Sequence, residues 1–88
     1  MWSKLKIRVI AYGRIRVYLQ NKIGERACTK TEIEFEIGDR STVKDLFSLL
    51  NKPQMEVWMA NVNGRVVGEA WRLSEGDLVR IFEPLGGG

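Results

Sequence analysis

Histidine is absent from this 88-residue chain, and cysteine occurs once, at Cys28. Without an imidazole there is no general base poised near neutral pH and no His-containing zinc site. A single thiol forms neither an internal disulfide nor a thiolate cluster, which fits a reducing, cytoplasmic compartment and excludes a disulfide scaffold. Proline is sparse, with only Pro53 and Pro84. No apolar run approaches the ~20 residues of a membrane span. No basic segment followed by an apolar one opens the chain, so secretion is not expected. Neither a phosphate-cradling glycine motif nor a nucleophile–base pair stands out, so independent catalysis is not expected, and neither is a bound metal.

What is present suits one small core. Hydrophobic residues make up 44% of the chain and include three Trp, three Phe and two Tyr, while the length leaves no room for a second core. A net charge of +3 is compatible with an acidic protein partner or a nucleic acid and is too small to establish either.

Lys4 to Tyr12 alternates, with Leu5, Ile7, Val9 and Ala11 on one face and Lys4, Lys6, Arg8 and Ile10 on the other, the period of a half-buried strand. After Gly13, Arg14–Gln20 reads as a continued strand or an irregular turn, and Asn21–Gly24 as a loop. Thr31–Ile37 is a second strand, with Ile33, Phe35 and Ile37 inward and Glu32, Glu34 and Glu36 outward. Ser41 or Thr42 caps a helix over Val43–Asn51, with Asp45 in its first turn, and Pro53 prevents it from running on. The helix's apolar stripe is Val43, Leu46, Leu49 and Leu50, with Phe47 beside it. Val57–Asn63 is a third strand. Asn63-Gly64 before Arg65-Val66-Val67 signals a hairpin, and Ser74–Asp77 a turn. Leu78–Phe82 is the last strand, with Val79 and Ile81 inward and Leu78, Arg80 and Phe82 outward. Trp58 and Trp71 read as core or strand packing, and Cys28 as incidental, since only Arg26 and Lys30 offer charge that would lower its pKa.

The last three residues are Gly86, Gly87 and Gly88. A bare glycine tail passes through channels too narrow for any side chain. The expected organisation is a single domain over 1–83 and a flexible glycine tail over 84–88. Strand, strand, helix, strand, strand, strand gives an α+β domain, a β-grasp or ubiquitin-like roll, with a mixed sheet of four to five strands packed on one main helix. The first and last strands are expected to pair in parallel at its centre.

Four stretches carry a resemblance to a known family: Ala11-Tyr12-Gly13-Arg14; Ser41-Thr42-Val43; Val62-Asn63-Gly64; and the ending from Leu73 through Gly76-Asp77, Leu78–Phe82, Pro84 and Gly86-Gly87-Gly88. Together they resemble the MoaD/ThiS sulfur carrier proteins, namely the small subunit of molybdopterin synthase and the thiamine-pathway carrier. Two departures stand out. Gly86 occupies a position where another residue is usual, and Arg14–Lys30 is long for the shortest carriers, which argues against the thiamine carrier.

The resemblance implies a carrier and not an enzyme, at most the small subunit of a synthase. No cofactor is permanently bound. A ubiquitin-activating-type partner uses ATP to adenylate the carboxylate of Gly88, with Gly87 beside it, and a sulfur donor converts it to a thiocarboxylate. The molybdopterin synthase large subunit is a further expected partner, whereas a membrane or a nucleic acid is not. Phe82, Ile10 and Val66 correspond to the family's partner-contacting positions, and Arg80, Leu85 and Gly86 join them. Lys4, Lys6, Arg8 and Arg80 are expected around that patch. The tail reaches at most about 20 Å beyond Phe82. The destination of the sulfur stays open among molybdopterin, thiamine and tRNA thiolation, with molybdopterin favoured. Two other functions remain: a ubiquitin-like modifier joined to lysines through Gly88, and a small RNA- or protein-binding module that ignores the tail.

Overall fold

Alternating residues from Lys4 to Ala11 form the first strand, β1, with Ile7, Val9 and Ala11 fully buried. The computed structural model describes residues 3–23 and 32–84. Leu85, Gly86, Gly87 and Gly88, and with them Cys28, lie outside the described residues. A first helix, α1, spans Ile15–Ile23, and β2 follows over Glu32–Gly38. A second helix, α2, spans Val43–Leu49. Three strands complete the fold: β3 over Met59–Val62, β4 over Arg65–Val67 and β5 over Leu78–Phe82.

The five strands form one mixed sheet in the order β2-β1-β5-β3-β4. β1 and β5 run parallel, in the register Val9↔Val79 and Ala11↔Ile81, and the other neighbours pair antiparallel. This is the expected β-grasp roll. Val79 and Ile81 from β5, Ala60 and Val62 from β3, and Val43, Leu46, Phe47 and Leu50 from the α2 segment join β1 in one core. Burial of each of the larger aliphatic side chains contributes roughly 1.5–3 kcal/mol before chain entropy is counted.

α2 starts where the sequence marks a start. Thr42 is the N-cap: its hydroxyl accepts from the Asp45 amide at 3.3 Å, and the Asp45 carboxylate accepts from the Thr42 amide at 2.8 Å. These reciprocal bonds satisfy two amides that helix geometry leaves open. Two more amides, of Val43 and Lys44, donate to the carbonyls of Trp71 and Glu69 at 2.9 and 3.0 Å. The segment before β5 is thus fastened across the helix start by its backbone. Leu73 is the side chain it buries, while Trp71 stays exposed, contrary to the packing role expected for it. Trp58 is buried, edge-on to both Tyr18 and Phe47.

The stretch after Gly13 differs from expectation. Arg14–Gln20 is not a strand or an irregular turn, and Asn21–Ile23 is not a loop; both belong to α1. Gly13 turns the chain at φ +62°, and the Arg16 and Val17 amides bond back to the carbonyls of Gly13 and Arg14. Ile15 and Leu19, one turn apart, are buried against the same sheet face as α2, and Tyr18 packs beside them. Both helices therefore lie on one face of the sheet. The opposite face carries no element among the described residues.

Candidate functional site

That uncovered face is built by the outward positions of the strands. Ile10 of β1 is the register partner of Arg80 of β5, which pairs with Asn61 of β3, which pairs with Val66 of β4. One row of side chains thus crosses the sheet at about 4.8 Å per strand. Phe82 stands two residues beyond Arg80 on the same face and pairs with Met59. An open cleft of about 640 Å³ lies there, lined by Tyr12, Gly13, Asn61, Arg80, Phe82, Glu83 and Pro84. Its lining is mainly apolar, and among the described residues no acidic side chain pairs with Arg80. Pro84, the last described residue, is part of this lining.

The cleft's rim is held by charge. Arg14 donates from Nε to Glu83 Oε1 at 3.2 Å and from Nη2 to Glu83 Oε2 at 3.1 Å, a two-pronged pair between residues 69 apart in sequence. The hydrogen bond and the charge of Glu83, with a smaller contribution from Glu56, raise the Arg14 pKa above its ordinary value. Glu56 is itself fixed, accepting from the Trp58 indole at 2.8 Å and from the Tyr18 hydroxyl at 3.3 Å. Partial burial and then the Glu56 carboxylate push the Tyr18 phenol up from its ordinary value.

The other end of β5 is closed by hydrogen bonds. Asp77, only 8% exposed, accepts from Asn63 Nδ2 at 2.9 Å and from the Ser74 amide at 2.8 Å. Asn63 Oδ1 accepts from the Leu78 amide at 2.9 Å, and the Asn63 amide donates to the Leu78 carbonyl. Gly76 sits at φ +83°, which disfavours any residue with a side chain. The Asn-Gly and Gly-Asp pairs noted separately in the sequence are therefore one unit that ties the β3–β4 hairpin to the start of β5.

Of the sequence-derived contact residues, Ile10, Arg80 and Phe82 come together. Val66 shares their face and is 53% exposed, but it stands two strands from Arg80, with Asn61 between. Lys4 and Lys6 do not surround the patch: they occupy the far end of β1, about 20 Å or more along the strand from the level of Phe82. Arg8 is paired with Glu32 at 3.3 Å. Tyr12, Asn61 and Glu83 complete the cleft and were not among the sequence candidates. Strand parity carries the signal for Tyr12 and Asn61, since both continue the outward alternation of β1 and β3. Nothing local marks Glu83. Among the described residues, no group of three or more Cys, Asp or Glu side chains is placed to hold a metal ion, and no helix is long and apolar enough to cross a membrane.

The ThiS family model matches residues 24–88. No curated protein matches the sequence. Among solved structures, a Pyrococcus furiosus protein provisionally assigned as molybdopterin converting factor subunit 1 is 25% identical, with 92% of this chain and 99% of that one covered and a TM-score of 0.69. Small archaeal modifier protein 1 of Haloferax volcanii shares the fold at 10% identity, with the same coverage and a TM-score of 0.67. Caldiarchaeum subterraneum ubiquitin does so at 15% identity, with 98% and 100% covered and a TM-score of 0.56.

Proposed function

The chain belongs to the ThiS family, and from that premise we propose that it carries sulfur on the carboxylate of Gly88 and delivers it to molybdopterin synthesis. Its class is that of the small ubiquitin-fold carriers and modifiers, proteins that work with activating enzymes and synthase partners. The finer reading is chemical. A free carboxylate resists substitution because its oxygen is a poor leaving group. Attack of that oxygen on the α-phosphorus of ATP releases pyrophosphate and leaves an acyl adenylate. A sulfur nucleophile from a donor then takes the carbonyl carbon, AMP departs, and a thiocarboxylate remains. ATP belongs to the adenylating partner, and the carrier holds no cofactor of its own.

The observation that carries this reading is where β5 ends. The strand ends beside an uncovered apolar cleft that Glu83 and Pro84 help to line, which supports a reading in which the partner docks on this face close to the root of the tail. Phe82 and Ile10 supply apolar contact, and Arg80 between them awaits an acidic group. Val66 extends the contact towards the hairpin, while Leu85 and Gly86 follow the tail into the partner's channel. Because a glycine tail loses much freedom on binding, the docking energy has to come from this face. Molybdopterin is the favoured destination because the likeness at 25% identity is to a protein assigned to its conversion.

The test is intact mass spectrometry after incubation with ATP, the cognate adenylating enzyme and sulfide. A mass gain equal to exchange of one oxygen for sulfur, lost when Gly88 is deleted, is the expected result. A lysine conjugate without that gain would turn the assignment to a modifier. No ATP-dependent change would leave a binding module.

A further inference from the structure

We infer that Arg14 is a positioning residue for the tail, acting through Glu83 and not by touching the partner. The inference rests on the carrier reading for its functional consequence and on the described geometry for its cause. Glu83 is the first residue beyond β5, and Pro84, with its fixed φ, follows it. Whatever orients Glu83 therefore sets the direction in which the chain leaves the cleft. Beyond Phe82 the β-ladder has ended, and the Tyr12 amide makes its bond one residue earlier, to the Ile81 carbonyl at 3.0 Å. The described hydrogen bonds to Glu83 are the two that Arg14 donates.

The geometry suits a clamp better than a casual ion pair. Both guanidinium prongs are used, which fixes orientation as well as distance. Arg14 projects from the turn made by Gly13 at φ +62° and lies next to the start of α1, so its backbone is anchored on both sides. The charge of Glu56 adds attraction for Arg14, and Glu56 is itself held by hydrogen bonds from Trp58 and Tyr18. A path of fixed groups thus runs from the buried Trp58 towards the root of the tail. Exposed pairs of this kind add little to stability. Their value here is orientational: a tail root held in one direction has less freedom to lose when the terminal carboxylate enters an active site.

The experiment compares wild type with Arg14→Ala, Glu83→Gln and the exchange Arg14→Glu with Glu83→Arg. Adenylation kinetics with the cognate enzyme and the backbone NMR order parameter at position 83 are read for each. Each single variant is expected to lower kcat/KM about three- to fivefold, with unchanged melting temperature and lower order at position 83. The exchange is expected to restore both readouts. Single variants that match wild type would overturn the inference. So would an exchange that recovers order at position 83 without recovering rate, since that assigns Arg14 to direct partner contact. If the wild-type chain is not adenylated at all, the carrier reading fails, and order at Glu83 still decides the clamp: order unchanged in Arg14→Ala rejects it.

Discussion

The two ends of β5 are built from the same kinds of side chain and put to opposite uses. At its start, the Asp77 carboxylate is buried and spent on Asn63 and Ser74, and Asn63 is spent in turn on Leu78. At its finish, the Glu83 carboxylate is near the surface and held by one exposed arginine, beside an open cleft with an unpartnered face. A buried carboxylate must be fully satisfied or it destabilises the fold, whereas an exposed one can be released at little cost. The strand therefore has a fixed end, closed inside the fold, and a free end, held only at the surface by the Arg14 pair, and the free end leads to the glycines.

The sharpest break of this contrast is at the tail. Deleting Gly87 and Gly88 is expected to abolish sulfur loading while leaving the melting temperature unchanged, measured by intact mass and calorimetry on the same sample. Next comes the fixed end. Asp77→Ala strips the Asn63 amide and the Ser74 amide of their acceptor and is expected to cost about 2–3 kcal/mol in urea denaturation. Protein that remains folded should still load sulfur, because the lesion lies at the other end of the strand. Third, Phe82→Ala is expected to weaken affinity for the adenylating enzyme about tenfold in calorimetric titration, in the range of an interface anchor. Loss of folding instead would move Phe82 from the docking face into the core.

The smallest effect concerns pH at the free end. The Tyr18 phenol is raised above its ordinary value of 10.0 by partial burial and Glu56. The folded state therefore holds this proton more tightly than the unfolded chain does. That contribution is complete below pH 10 and falls as pH rises through the higher folded value. Tyr18→Phe removes the proton, so the alkaline decline in stability above pH 10 should be shallower in the variant than in wild type. Identical slopes would mean that the phenol is not coupled to the fold.

The local signals in the sequence are those that alternation and capping can carry. Ile7, Val9 and Ala11 in β1 and Val79 and Ile81 in β5 are buried as their period requires, and Thr42 with Asp45 caps α2. α1 was missed because Ile15, Val17 and Leu19 alternate like a strand while Ile15 and Leu19 also sit one helical turn apart. Both periods fit, and the need to cover the inner sheet face decides for the helix, at the cost of exposing Val17. The make-up of the uncovered face was legible where parity sufficed, for Ile10, Arg80 and Phe82. It was not legible where the sheet register brings distant residues together, as for Asn63 with Asp77 and Arg14 with Glu83.

If the free end of β5 delivers a glycine carboxylate for activation and sulfur loading, the sulfur must be found on that carboxylate. Fragment mass spectrometry of the C-terminal peptide, after incubation with ATP, the adenylating enzyme and sulfide, locates it. The expected result is the oxygen-to-sulfur exchange on the terminal glycine, Gly88, and nowhere else. Sulfur found on Cys28, or a terminal peptide left unmodified while the enzyme consumes ATP in the chain's presence, would contradict it.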